Sequence, residues 1–216
     1  AMLTMNAQQL RDMFLFVARR LVDSEDFLTE IDIKIGDGDH GIGMATGFKN
    51  VLKDLPGAKL ENAEDAFCEV GNILLDTMGG ASGVLFGTMF ISGIVKRAPS
   101  PTIDLRGFAE IFRASLDALK RRGKAKIGDK TMVDAFEPAV VALEKAADAG
   151  KSLEDGLADA AAAAKSGMEY TKQCVARFGR AKSYGEAAIG LQDAGATSVW
   201  LIYQSMADWA QDHLKG

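Results

Sequence analysis

Apolar side chains recur along most of this chain with the period of an α-helix, and this periodicity limits the fold more than any other feature. Near the amino terminus they fall at positions i, i+3, i+4, i+7 and i+11: Leu10, Met13, Phe14, Val17 and Leu21. The same spacing predicts helices at about 43–54, 62–78, 83–97, 105–122, 131–149 and 153–176, and a last one through Val199, Ile202, Met206 and Trp209. Asn6, Asn62 and Ser152 are suitable N-caps for three of them.

Signals for strands are weak. The apolar run 31–35 is short, and the run 84–94 has helical spacing. No internal repeat and no linker rich in Ser or Pro divides the chain. We therefore predict a single all-α domain, residues 1–216, built from eight helices.

Composition excludes several classes of protein. With 48% hydrophobic residues among 216, the chain can fill a core. The 30 acidic and 25 basic residues give a net charge of -5, which argues against a nucleic-acid partner. Cys68 and Cys174 form no CxxC pair, so neither a disulfide scaffold nor a zinc site is indicated. No apolar run approaches the roughly 18 residues of a membrane span, and a cytoplasmic protein without membrane contact is predicted.

Glycine is unusually abundant for a helical chain. A glycine inside a helix costs about 1 kcal/mol relative to alanine, yet there are 23 of them. Most fall in three clusters, at 36–47, 79–87 and 179–195. Backbone that must approach a ligand closely explains such clusters, whereas helix C-caps explain one or two glycines in each.

The first cluster also contains three carboxylates, Asp32, Asp37 and Asp39. On a straight helix Asp32 and Asp37 would point about 140° apart, so the three converge only where the chain turns. Converging carboxylates repel one another unless a cation compensates, and oxygen ligands suit Mg²⁺ or Ca²⁺. A helix-capping turn rich in Asp and Gly is the alternative. We predict a metal site, with His40 as a donor to the ligand.

Calcium binding of the EF-hand type is excluded. The twelfth position of such a loop requires Glu, and counting from Asp32 or Asp37 it is Gly43 or Phe48. Mg²⁺ usually completes its ligand shell with water and substrate phosphates. The acidic cluster therefore points to a nucleotide or a phosphate ester.

Other segments offer anion-binding groups. Gly79–Gly83 leads into a helix, and Ser82 is either its N-cap or a donor to phosphate. Arg180 is either a phosphate clamp or a surface arginine, and Asp193 either caps a helix or meets a nucleotide sugar. The basic segment 122–132 leads to a helix start, and a solvated turn is the alternative to a functional role for it.

Four segments together resemble the nucleotide-binding L subunits of dihydroxyacetone kinases. They are Asp32 with the GDGDHG loop, Gly79–Thr88, Gly128–Met132 and Gly195–Ser198, in the family's order across nearly the whole chain. The resemblance implies an antiparallel eight-helix barrel with the nucleotide at one end. It also implies a phosphotransferase that delivers a phosphoryl group to a small ketose on a separate K subunit.

The resemblance further implies how the site is built and used. Asp32, Asp37 and Asp39 would hold two Mg²⁺ ions that bridge the phosphates of ADP or ATP. No catalytic side chain is implied, because metal ions assist the transfer. ADP is recharged by a phosphohistidine protein of the phosphotransferase system in one branch, and ATP exchanges in the other. A homodimer or a hetero-oligomer is expected. Nucleotide contacts are implied for His40, Gly41, Ile42, Gly43, Ala81, Ser82, Gly123, Met132, Arg180, Asp193, Ala194 and Gly195.

The chain departs from the family pattern in three places. The family has asparagine at the position of Gly43, GHQDPG at Gly190–Gly195 and SYLGER at Lys182–Ala187. These changes bear on the phosphoryl donor, the partner and the sugar, so a four-carbon ketose such as erythrulose is an alternative substrate. Two other classes stay open, an Asp-rich Mg²⁺-dependent phosphohydrolase and a nucleotide-loaded binding module without its own activity.

Overall fold

The computed structural model describes residues 3–214, which form nine α-helices and one short two-stranded ribbon. In chain order the elements are β1 (Thr4–Asn6), α1 (Ala7–Asp23), α2 (Glu25–Ile35), α3 (His40–Asp54), α4 (Ala63–Thr77), α5 (Gly80–Ile91), β2 (Thr102–Asp104), α6 (Leu105–Gly123), α7 (Val133–Asp148), α8 (Leu153–Tyr170) and α9 (Ala194–His213). Short 3₁₀ segments lie at Leu55–Gly57, Ser92–Ile94, Thr171–Gln173 and Arg180–Ala188. The ribbon is antiparallel, with Met5 opposite Ile103.

The predicted helix starts are confirmed where a side chain caps them. Asn6 accepts from the backbone N–H of Gln9, and the Gln9 side chain accepts from the N–H of Asn6. Asn62 begins α4, where its backbone N–H donates to the Asp65 carboxylate at 2.9 Å, and the Ser152 hydroxyl caps α8 by accepting from the N–H of Asp155. Ser82 as an N-cap is wrong, because α5 already begins at Gly80. Two predicted helices are too long, since α5 and α8 end at 91 and 170 and continue only as 3₁₀ turns.

Eight of the helices form a closed ring in which each packs on its neighbours. The order is α1, α3, α4, α5, α6, α7, α8, α9, and α9 returns to α1. The all-α prediction is confirmed. The ninth helix, α2, packs outside this order on α3 and was not predicted. It buries only Leu28 and Ile35 completely, so its sequence has no continuous apolar stripe.

Aromatic rings fill the middle of the ring. Phe14 meets Phe67 edge to face with centroids 5.0 Å apart, and Phe67 meets Phe112 at 5.8 Å. Phe112 continues to Tyr203 at 5.4 Å. All four rings are buried. The barrel interior is therefore a packed core, and a ligand can enter only at an end of the barrel.

Several glycines serve helix packing. A Cβ atom on Gly41 would overlap the carbonyl oxygen of Glu25 in α2, and one on Gly83 would overlap that of Met78. Gly167 likewise lies against the backbone of Asp134 in α7. The glycine clusters are thus only partly explained by a ligand. Gly79 and Gly123 do face open space.

No helix within residues 3–214 combines the length and the apolar character needed to cross a membrane.

Candidate functional site

The three aspartates of the first loop converge at one end of the barrel. Asp32 lies in the last turn of α2, and Asp37 and Asp39 lie in the turn between α2 and α3. One carboxylate oxygen from each lies within 4.8 Å of the others. The turn that the sequence required is made by Gly36 and Gly38, and Gly38 adopts φ +80°. A side chain on Gly36 would overlap the Asp32 carboxylate.

The electrostatics of the three carboxylates reflect their closeness. The pKa of Asp37 lies below its ordinary value, mainly because its carboxylate accepts a hydrogen bond from Asp39. The same hydrogen bond raises the pKa of Asp39, together with desolvation and the charges of Asp37 and Asp32. Arg180 offsets part of the repulsion with its Nε 3.1 Å from Asp37 Oδ2. This oxygen-only donor set, open to solvent, fits Mg²⁺ or Ca²⁺.

His40 connects the carboxylates to the interior of the barrel. Its backbone N–H donates to Asp32 Oδ2 at 3.1 Å, and its Nε2 lies 2.7 Å from the hydroxyl of buried Ser198 in α9. Burial lowers the pKa of His40, and the charge of Asp32 opposes that shift only partly. The imidazole is therefore neutral at pH 7, with its orientation fixed by Ser198.

A cavity of about 370 Å³ opens next to His40. Its wall is formed by the first residues of α3, α5, α7 and α9 and by the end of α6, so α3, α5, α7 and α9 run away from this end of the barrel and α6 runs toward it. The lining residues are His40, Ala81, Ser82, Leu85, Phe86, Leu119, Gly123, Ala125, Lys130, Thr131, Met132, Val133, Phe178, Gly179, Asp193 and Gly195. Apolar side chains dominate one part of this wall, which suits a flat apolar group such as a nucleobase.

Two of the helices that begin here have free backbone donors. Within residues 3–214, no N-cap side chain bonds to the first turn of α3 or α5, although the first N–H group of α3, that of His40, donates to Asp32 Oδ2. Helix N-termini carry partial positive charge and unpaired N–H groups, and both favour an anion. Ser82 lies in the first turn of α5, where its hydroxyl can add to these donors. The cavity is therefore suited to a ligand with an apolar body and an anionic end.

One part of the cavity wall contains a buried lysine whose role the sequence did not reveal. The segment 122–132 is not a fully solvated turn, because Lys130 is only 2% exposed. Its ammonium donates to the carbonyl oxygens of Thr171 and Leu191. Asp193 caps α9 by accepting from the N–H of Ala196 at 2.8 Å, and burial raises its pKa to about 7. From the sequence alone, a lysine in a solvated turn cannot be distinguished from a lysine that is buried in the wall of a cavity.

The predicted nucleotide contacts fall into two groups. Seven of them line the cavity: His40, Ala81, Ser82, Gly123, Met132, Asp193 and Gly195. Gly41, Ile42, Gly43, Ala194 and Arg180 are not part of its wall. Ile42 is 56% exposed, and Arg180 lies beside the carboxylates through its ion pair with Asp37. Of the lining residues that the prediction did not include, Leu85, Leu119 and Val133 carry no sequence signal, since they look like core residues.

A helical ring with a cluster of three carboxylates and an apolar cavity at one end defines a class of all-α domain that is suited to binding a cation and an anion side by side. The chain belongs to the DAK2 domain family, whose model matches residues 34–208. It is 38% identical over 182 residues to the "PEP-dependent dihydroxyacetone kinase, ADP-binding subunit DhaL" of Escherichia coli, which covers 84% of this chain and 87% of that protein.

Longer relatives contain a similar region. The chain is 34% identical over 188 residues to an L-erythrulose 1-kinase of Mycolicibacterium smegmatis, covering 86% of this chain and 33% of that protein. The crystal structure of the dihydroxyacetone kinase from C. freundii in complex with AMP-PNP and Mg²⁺ superposes with a TM-score of 0.74 and 27% identity. That match covers 96% of this chain and 34% of the other. The chain thus spans about a third of each of these two proteins.

Proposed function

We propose that this chain is the nucleotide-binding, phosphoryl-transferring subunit of a small-ketose kinase and acts as one L-type domain over residues 1–216. One observation carries the proposal: three carboxylates that cluster within 4.8 Å adjoin a cavity at which four helices begin. Cations at the carboxylates and amide donors at the helix N-termini would bind the two sides of one polyphosphate chain. The family relationship and the ADP-binding subunit among the relatives support the same function.

Asp32, Asp37 and Asp39 would hold two Mg²⁺ ions, as the resemblance implies. Divalent ions supply charge neutralisation for a phosphoryl group in transfer. The residues of the chain would then bind the nucleotide and orient its phosphates. The N–H groups of Gly80 to Ser82 and the first turn of α3 would face the phosphates, and the apolar wall near Leu119 and Met132 would hold the base.

The chain's own residues also keep the anionic end in a defined position. Ser198 holds the His40 ring, whose neutral imidazole can donate a hydrogen bond without taking up a proton from solvent at pH 7. Arg180, 76% exposed in its side chain, can leave Asp37 and contact a phosphate oxygen. In phosphoryl transfer such positioning and charge stabilisation account for most of the catalysis.

The acceptor and its carrier lie outside this chain in the proposal. A K-type subunit would hold the ketose, and ADP would be recharged either by a phosphohistidine protein or by exchange with ATP. Dihydroxyacetone is the first substrate to test. L-Erythrulose is the second, because a kinase for that sugar is among the relatives.

The decisive experiment is calorimetric titration of ADP in the presence and absence of Mg²⁺. Asp37→Ala should abolish Mg²⁺-dependent ADP binding at unchanged helical circular dichroism. Asp12→Ala is the matched control, since Asp12 is exposed in the middle of α1. Undiminished Mg²⁺-dependent affinity of Asp37→Ala for ADP would refute the assignment.

Turnover separates the three classes of function. Phosphorylation of a ketose after addition of a K-type subunit supports the kinase. Release of inorganic phosphate from ATP by this chain alone would identify a phosphohydrolase. Tight binding of ADP without turnover with any K-type subunit would identify a binding module.

A further inference from the structure

Lys130 has a burial and a backbone conformation that are unusual for lysine. It is 2% exposed in a segment whose other lysines, Lys124 and Lys126, are exposed. Its φ is +63°, a left-handed conformation in which L-residues other than Gly and Asn are disfavoured. Burial also lowers the pKa of its ammonium group. Burial of a charged group and a left-handed backbone both cost free energy, so the contacts of the Lys130 side chain must offset these costs.

The side chain joins two segments that are otherwise separate in the chain. Its Nζ donates to the carbonyl oxygen of Thr171 at 2.5 Å, just after α8, and to that of Leu191, just before α9. Bonds from a charged donor are stronger than those between neutral groups. Lys130 is therefore a clamp between the end of α8 and the turn that leads into α9.

Further hydrogen bonds extend from the same two segments. The backbone N–H of Asp193 donates to the Thr171 hydroxyl at 2.9 Å, and that of Gly190 donates to the Lys172 carbonyl at 2.6 Å. Asp193 then caps α9. The chain of contacts leads from Lys130 through Thr171 to the residues that begin α9.

Both ends of this chain of contacts belong to the cavity. Lys130 and Met132 line the cavity together with Asp193 and Gly195. A Cβ atom on Gly195 would lie 3.5 Å from Met132 Cβ, so the first turn of α9 packs directly against the segment that leads into α7. A shift of the turn before α9 would change the width of the cavity directly.

We propose that Lys130 is a positioning residue that fixes the turn before α9, and through it the width of the nucleotide cavity, by holding the carbonyl groups of Thr171 and Leu191. The inference rests on the proposed function, because it assigns a ligand to the cavity. It concerns affinity and wall position, and it gives Lys130 no part in the chemical step.

The test compares Lys130→Gln with Lys130→Arg and with the control Lys124→Gln. Lys124 lies in the same segment, has a φ of +60° and is exposed, so its substitution removes one charge without removing the clamp. Lys130→Gln should weaken Mg²⁺–ADP binding about tenfold, the loss expected for charge-assisted hydrogen bonds. Lys130→Arg should restore most of the affinity, and Lys124→Gln should equal the wild type.

Amide hydrogen exchange adds a readout that a general loss of stability would not give. In Lys130→Gln, without ligand, exchange should accelerate in residues 188–196 and 171–173 and stay unchanged in α1 and α4. An ADP affinity within twofold of the wild type, or acceleration spread over all helices, would overturn the proposal.

A second variant covers the case in which Lys130→Gln does not fold. Thr171→Val removes the hydroxyl that binds Asp193 and leaves Lys130 in place, and it should give the same local acceleration. No acceleration in Thr171→Val would count against the proposal. If the wild type binds no ADP, the proposed function fails, and the exchange comparison still decides whether Lys130 holds the turn.

Discussion

Replacing Asp39 by Asn should stabilise the protein without Mg²⁺ and remove most of its stabilisation by Mg²⁺. Asp39 repels Asp32 and Asp37, whose oxygens lie within 4.8 Å. At that distance a pair of charges costs about 0.9 kcal/mol in water, and physiological salt weakens this. The two pairs therefore amount to about 1–2 kcal/mol. No helix cap is lost, since the Asp39 side chain makes no capping hydrogen bond.

The assay is thermal unfolding followed by circular dichroism, with and without Mg²⁺. For a chain of this length 1–2 kcal/mol corresponds to a rise in Tm of about 2–8 °C. The wild type should gain about 2.7 kcal/mol at a Mg²⁺ concentration a hundredfold above Kd, and the variant much less. Asp12→Asn is the control and should change neither value. An unchanged or lower Tm for Asp39→Asn without Mg²⁺, or an equal Mg²⁺ response in variant and wild type, would refute the reasoning.

Three further predictions concern packing, pH and the cavity. Gly167→Ala should lower the free energy of unfolding, measured by urea titration, by about 1–3 kcal/mol, because the added methyl group would overlap the backbone of Asp134. Gly57→Ala is the control and should change the free energy of unfolding little, because Gly57 faces open space. The folded pKa of Asp193 is about 7 and an unfolded carboxyl titrates near 4, so folding takes up a proton between these values and stability should fall as pH rises from about 4 to 7. Asp193→Asn should flatten that fall in urea titrations at several pH values, and parallel profiles for variant and wild type would contradict the shift. Ala125→Trp should reduce ADP affinity in calorimetry by more than tenfold without loss of helix content, because the indole would occupy the cavity; retained affinity would place the nucleotide elsewhere.

Local signals in the sequence were sufficient for much of the fold. Asn6, Asn62 and Ser152 begin helices because a cap needs only a side chain and the next three residues. The helices that bury a full stripe were predicted for the same reason. The helix α2 was missed, because it buries so few residues that its period is not visible.

The candidate site also contains some features that the sequence predicts and others that it does not. The convergence of Asp32, Asp37 and Asp39 was predictable, since all three lie within eight residues and the glycines between them permit a tight turn. The role of Lys130 was not predictable, because its acceptors lie 41 and 61 residues away. Ser198 meets His40 across 158 residues.

By itself the sequence determined the helical class, the capped helix starts and an acidic turn suited to a divalent cation. Each of these depends on residues within one or two turns of one another, so short-range spacing encodes them. Only the tertiary structure decided that α9 closes the ring onto α1, that four helices begin around one cavity, and that Lys130 is buried. Those features depend on which distant segments pack together. Packing between distant segments is determined by the whole core, and no local sequence pattern encodes it.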